Sequence, residues 1–269
     1  MNWWQALILG MVEGLTEYLP VSSTGHLLVT QRLLGIAESE AANAFVIAIQ
    51  AGAIVAVLGL YRARVLQMAR GLLGREREGA RLALGLVVAF LPAAVLGLAL
   101  DDAIEGHLFG PWPIAAAWAA GGVFILALGP RLERRQGLRL EEMGVRAALV
   151  IGVAQCAALW PGVSRSLATI AGGLWAGLSL VAAVEFSFLL GLLTLGAATA
   201  YKTVTSGAAM LALYGPLPLA VGFLSALVSA VVAVRAMVSW LQQRGLGLFA
   251  WWRLLMAALV ASLLCAGWL

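Results

Sequence analysis

Four stretches of this chain, Ala42 to Tyr61, Leu82 to Leu100, Trp112 to Gly129 and Leu217 to Val234, run 18 to 20 residues without a charged side chain. As a helix, each is long enough to cross the hydrocarbon core of a bilayer, about 30 Å thick. Two more, Leu178 to Ala200 and Trp251 to Leu269, carry one charge each, Glu185 and Arg253. In lipid every backbone N–H and C=O must be bonded within the protein, which leaves helices or a closed barrel, and runs of this length are helices. The expectation is an all-α polytopic membrane protein. Composition agrees: 62% hydrophobic and 11% charged residues is far from the balance of a soluble domain. The net charge of +4 is no nucleic-acid signature, because the arginines gather in short links between spans, where they set orientation. Cys156 and Cys265 lie in apolar segments without ligand spacing, so neither a disulfide framework nor a zinc site is expected.

Two further apolar segments are cut open by polar residues. In the first, EGLTEYLPVSSTGH (Glu13 to His26) sets two carboxylates, a run of hydroxyls and an imidazole between Ala6-Leu7-Ile8-Leu9 and Leu27-Leu28-Val29. Ionisable groups at membrane depth are expensive and persist where they have a task. Glu13 and Glu17, four apart, share a helix face. Pro20 ends that helix. Ser22, Ser23 and Thr24 are N-cap types for a second helix, whose N-terminus is an anion site. In the second segment, PGVSRSLAT puts Arg165 between Ser164 and Ser166, with Thr169 one turn further on.

The arginine-rich links (62–81, 130–146 and the stretch with Arg235, Arg244 and Arg253) alternate with links around Glu38, Asp102 and Lys202. The positive-inside rule sends the first group to the cytoplasm and the second, with both termini, outside. For the sides to close, each broken segment must return to the face it entered, as a re-entrant hairpin buried in protein or lining a cavity. The two segments overlay at an offset of 142, with Gly10 on Gly152, Glu13 on Gln155, Tyr18 on Trp160, Val21 on Val163, Ser22 on Ser164 and Ser23 on Arg165. Each is followed by three spans, an odd number of crossings that inverts the second copy. The expected fold is a single membrane domain of two inverted-topology repeats, about 1–130 and 147–269. Each repeat is one re-entrant helical hairpin plus three transmembrane helices, and the breaks meet near the midplane.

There, Glu13, Glu17, Ser22, Ser23 and His26 would face Ser164, Arg165, Ser166 and Thr169. Arginine offers a planar fork for phosphate oxygens and stays charged when desolvated. With the hydroxyls of Ser22, Ser164, Ser166 and Thr169 it reads as a phosphate-binding set. Glu13 and Glu17 either share a proton or hold a hard cation such as Mg2+ or Ca2+; the cation would offset repulsion between carboxylates and an anionic substrate. Ser23 with His26 is the minimum for an activated nucleophile. In the competing scheme the cation activates water directly and His26 is the acid for the leaving group. Glu185 is expected to pair with Arg165 or to orient its neighbours. Trp3, Trp4, Trp112, Trp240, Trp251 and Trp252 lie near span ends, as interfacial belts. The rival reading is a transporter or flippase of a phosphorylated isoprenoid lipid, which has no use for Ser23 beside His26.

EGLTEYLPVSSTGH and PGVSRSLAT, together with FVIAIQAGAIVAV from Phe45 and EFSFLL from Glu185, resemble signature stretches of the bacterial undecaprenyl-diphosphate phosphatases of the bacitracin-resistance type. The resemblance covers nearly the whole chain. It implies hydrolysis of undecaprenyl diphosphate to undecaprenyl phosphate and inorganic phosphate, recycling the lipid carrier for peptidoglycan and other envelope polymers. It also implies that Glu13, Glu17, Ser23, His26, Ser164, Arg165 and Thr169 are the essential groups. Ser23 is then the favoured nucleophile, Arg165 holds the diphosphate and a divalent cation is required. The implied setting is the bacterial inner (plasma) membrane, with the site opening to the outer, periplasmic face. The implied partners are a long-chain isoprenyl diphosphate and membrane lipids, with no nucleic acid, and a homodimer is left open.

Overall fold

The computed structural model describes residues 1–37, 39–132 and 136–268, without the side chains of Asp101 and Glu105. Glu38, Arg134 and Arg135, expected in the links, lie outside the described residues. Among those described, every element is a helix: α1 (Trp3–Thr16), α2 (Ser23–Leu33), α3 (Glu40–Leu60), α4 (Arg62–Leu72), α5 (Arg77–Leu108), α6 (Pro111–Leu132), α7 (Val145–Gln155), α8 (Arg165–Trp175), α9 (Leu180–Tyr214), α10 (Pro216–Arg244) and α11 (Gly247–Cys265). Six of them, α3, α5, α6, α9, α10 and α11, are long and apolar enough to cross a membrane, and they fall on the six expected spans. The protein is a multi-pass helical membrane protein.

The two broken segments are helix–turn–helix units. α1 has 14 residues, and α2, α7 and α8 have 11 each, so they reach only about 16–21 Å at 1.5 Å per residue. None of the four crosses a bilayer alone.

The links depart from expectation. The first arginine link is not a loop but α4 and the first turn of α5, the link after Leu100 continues α5 to Leu108, and Lys202 lies inside α9. Hydropathy marks where lipid ends, whereas Ala, Leu, Arg and Glu carry a helix on into water. Pro92 lies inside α5, which runs on past it.

Small residues let each short first helix sit against a long span. A Cβ on Gly10 would lie 2.2 Å from the Gly222 carbonyl oxygen, and one on Gly14 would lie 2.1 Å from Ser229 Oγ. α1 is thus pressed on α10 backbone to backbone, as the small-residue packing of membrane helices requires. α7 repeats this on α5, where a Cβ on Gly152 would meet the Ala89 carbonyl oxygen at 2.6 Å. Under the breaks lies a buried core that includes Tyr18, Ile151, Ile170, Phe186 and Phe188. The outer surface stays apolar, with Leu98 and Val204 more than four-fifths exposed, as lipid-facing side chains are.

Candidate active site

Both breaks turn through a serine in the left-handed region. Ser22 has φ 70° and Ser164 φ 77°, the two non-glycine residues of positive φ among those described, and their ψ angles, 101° and 116°, also agree. Such a conformation in an L-residue costs about 1–3 kcal/mol and persists only where the surroundings enforce it. The two serines correspond at the offset of 142 and are the N-caps of α2 and α8. Ser164 Oγ accepts the Leu167 N–H at 3.3 Å. Ser22 makes no side-chain cap; its carbonyl instead lies 2.7 Å from His26 Nδ1.

A guanidinium from α11 holds the two turns together. Arg253 is fully buried. It donates from Nη1 to the Pro20 carbonyl at 3.2 Å, and from Nη2 to the Ala117 and Gly162 carbonyls at 2.9 Å each. Pro20 belongs to the first break and Gly162 to the second, so one cation replaces the bonds that both irregular turns lack. Hydrogen bonds to a charged donor are worth about 1.5–3 kcal/mol, enough to offset the strain at the serines.

Glu17 is where the two segments meet chemically. The Ser23 hydroxyl donates to Glu17 Oε2, Arg165 Nη2 donates to Oε1 at 3.3 Å, and Ser166 Oγ donates to the Glu17 carbonyl at 3.3 Å. Arg165 is oriented on its other sides by the Ser187 carbonyl, 2.9 Å from Nη1, and by the Tyr18 ring 5.5 Å beneath it. Thr169 Oγ1 donates to the Arg165 carbonyl at 2.8 Å and shares a 2.7 Å bond with Ser187 Oγ. Glu13, one turn before Glu17, is fully buried with neither carboxylate oxygen hydrogen-bonded, and the charges acting on it are Glu17 and Arg165.

Every predicted site residue is therefore in or beside one buried cluster, but several partners differ from expectation. Ser23 bonds Glu17 rather than His26. The hydroxyls of Ser164, Ser166 and Thr169 bond within the protein, bracing the arginine and its turn. His26 has Nδ1 against the Ser22 carbonyl, and its Nε2 takes the Trp252 indole N–H at 2.9 Å. Trp252 thus lies against the site, and Arg253 lies between the breaks rather than in a basic link. Glu185 pairs with Arg64 of α4 at 2.8 Å, not with Arg165.

The donor set fits a shared cation but not a closed metal cage. No group of three or more His, Cys, Asp or Glu occurs among the described residues that could hold a metal. Glu13 nevertheless has two buried, unpaired oxygens, and Glu17 stands a turn away. A hard cation held by one or two carboxylates and completed by water and substrate phosphate matches that pattern.

The family described as Bacitracin resistance protein BacA matches residues 6–259. The chain belongs to the BacA family. Curated relatives include the Undecaprenyl-diphosphatase of Sorangium cellulosum, 47% identical over 97% of this chain and 86% of its own length. Undecaprenyl-diphosphatase 2 of Rhodospirillum rubrum is 43% identical over 98% and 95%. The Undecaprenyl-diphosphatase of Ectopseudomonas mendocina is 46% identical over 93% and 90%.

In this BacA-family chain, motif reading passed over Arg253, Trp252, Trp118 and Ser187. A signal for Arg253 was present, as the one charge inside an otherwise apolar span, the argument that singles out Glu13. Ser187 and the tryptophans carry no such mark, since their role depends on which helix faces which.

Proposed function

We propose that this chain is an undecaprenyl-diphosphatase, hydrolysing undecaprenyl diphosphate to undecaprenyl phosphate and inorganic phosphate and so recycling the lipid carrier. One observation carries the site assignment: Glu17 is bonded at once by Ser23 from the first break and by Arg165 from the second. Arg165 trades Glu17 for the diphosphate oxygens when substrate enters, while Ser187 and Tyr18 keep its fork aimed. The N-termini of α2 and α8 add backbone N–H groups for anionic oxygens. Glu17, freed of the guanidinium, accepts the Ser23 proton as Ser23 Oγ attacks the terminal phosphorus. The bond to the bridging oxygen breaks and undecaprenyl phosphate leaves; water then releases phosphate from the serine. Glu13 and Glu17 would hold a divalent cation, Mg2+ or Ca2+, which when bound neutralises charge between the carboxylates and the diphosphate.

The same reading places the chain in the bacterial plasma membrane as two inverted repeats, about 1–130 and 147–269, with both termini and the site's opening on the outer face. Two matches support the repeats: the serine turns share φ and ψ, and α1 on α10 is answered by α7 on α5. Arginines on α4 and on the links around it support the sidedness. The isoprenyl tail lies laterally between spans, because the charge-binding groups sit at apolar depth.

The test is phosphate release from a long-chain isoprenyl diphosphate in detergent, with and without chelator, for wild type, Ser23→Ala and Arg165→Ala. Release by wild type alone, abolished by chelator, is expected. A wild type that moves the lipid across vesicles while releasing no phosphate would make it a flippase instead.

A further inference from the structure

Of the side chains in the cluster, His26 has both ring nitrogens engaged away from Glu17. Nδ1 lies 2.7 Å from the Ser22 carbonyl, which only accepts, so Nδ1 carries the proton. Nε2 meets the Trp252 indole nitrogen at 2.9 Å, which only donates, so Nε2 is bare. The imidazole is nearly parallel to the Trp252 ring, at 8° and 6.0 Å between centroids, and the Trp118 ring lies 4.9 Å from it. Trp118 is anchored, its Nε1 donating to the Val21 carbonyl at 2.8 Å. Trp252 is 45% exposed and has room to move. The charged group facing the ring is Arg253, on the same helix as Trp252.

Resting on the phosphatase reading, we propose that Trp252 is a positioning residue for His26. The Ser22 carbonyl holds the proton on Nδ1, and the indole N–H occupies and aims the bare Nε2, which can take a proton from the water that releases phosphate from Ser23 when the indole moves aside. The partner of one imidazole nitrogen fixes which nitrogen carries the proton and where the ring points. Without the indole donor, Nε2 keeps its lone pair but loses the partner that fixes where the ring points, since Ser22 alone then holds it.

Nitrogen-15 labelling of histidine reads this directly. The chain has two histidines, and His107→Gln removes the other, which is exposed on α5. In that background, with Trp252 intact, one protonated Nδ1 and one bare Nε2 are expected. Adding Trp252→Phe, which keeps an aromatic ring but no donor, should leave Nδ1 protonated and shift the Nε2 resonance downfield, as a nitrogen lone pair that has lost its donor does. For a long-chain isoprenyl diphosphate, Trp252→Phe should lower kcat about tenfold and leave KM within about twofold. A protonated Nε2 with Trp252 intact, or a spectrum unchanged by Trp252→Phe, overturns the proposal. So does a loss shared by kcat and KM together with a lower melting temperature, which would make Trp252 a packing residue. A wild type that releases no phosphate overturns the phosphatase reading alone, because the imidazole spectrum decides the tautomer without substrate.

Discussion

Glu13 and Glu17 have the same side chain one turn apart, yet their surroundings separate them. Glu17 is satisfied by a hydroxyl and a guanidinium, whereas Glu13 has two buried oxygens and no bond. A buried carboxylate without a partner is a liability unless something else fills its coordination. Glu13→Gln should therefore leave the melting temperature equal to or above that of the wild type without cation. It should also abolish the rise in melting temperature on adding Mg2+ or Ca2+, measured in detergent. A metal-dependent rise that survives the substitution would remove Glu13 from the cation site. Arg165 is defined by geometry as much as by charge, since it reaches Ser187 and Glu17 with different nitrogens while lying over Tyr18. An ammonium keeps the charge and loses the fork. Arg165→Lys should accordingly cost on the order of 10²-fold in kcat, the loss typical of one transition-state donor, and a near-normal rate would show that charge suffices.

The elements around the cluster are positioned by close packing, and this is where substitutions act on the fold. Gly14 admits no Cβ, since one would lie 2.1 Å from Ser229 Oγ and 2.3 Å from the Ala226 carbonyl oxygen. Gly14→Ala would push α1 off α10 and destabilise by about 1–3 kcal/mol, seen as a lower melting temperature, with Glu13 and Glu17 displaced along with the helix. Further from the cluster, Arg64 on α4 donates to Glu185 and Glu141. The hydrogen bond from Arg64 is the largest cause holding the Glu141 carboxyl below its ordinary value. A carboxyl depressed on folding adds stability above its ordinary range, near pH 4.3, and that stability is lost as pH falls through the folded value. With side chains 24% and 31% exposed, the pair is partly screened by water and its effect is small. Arg64→Gln should lower the melting temperature by a few degrees at pH 7 and by less near pH 3. An equal difference at both would assign the loss to packing.

At the scale of the molecule the sidedness is open to a direct check. With Cys156 and Cys265 changed to serine, a cysteine at Trp112, exposed at the start of α6, should react with an impermeant maleimide in intact cells. One at Arg70, exposed on α4, should react only after permeabilisation. The reverse pattern would invert the orientation. Short soluble diphosphates should be hydrolysed far more slowly than long-chain ones, and equal rates would end the lateral placement of the tail.

Apolar length alone settled the class of this protein and the number of its spans, because a bilayer leaves the backbone no alternative to helix over such runs. The same cost of polarity in lipid pointed to Glu13, Glu17, His26 and Arg165, each conspicuous against its apolar neighbours. Partners were another matter. Whether Ser23 bonds Glu17 or His26, whether Glu185 reaches Arg64 or Arg165, and that Arg253 and Trp252 from the far end of the chain close on the first hairpin all depend on which helix faces which. Helix-to-helix contact in lipid is governed by the fit of small surfaces such as Gly14 on Ser229 rather than by hydrophobicity. Hydropathy is blind to that fit, and it emerged only when the helices were packed.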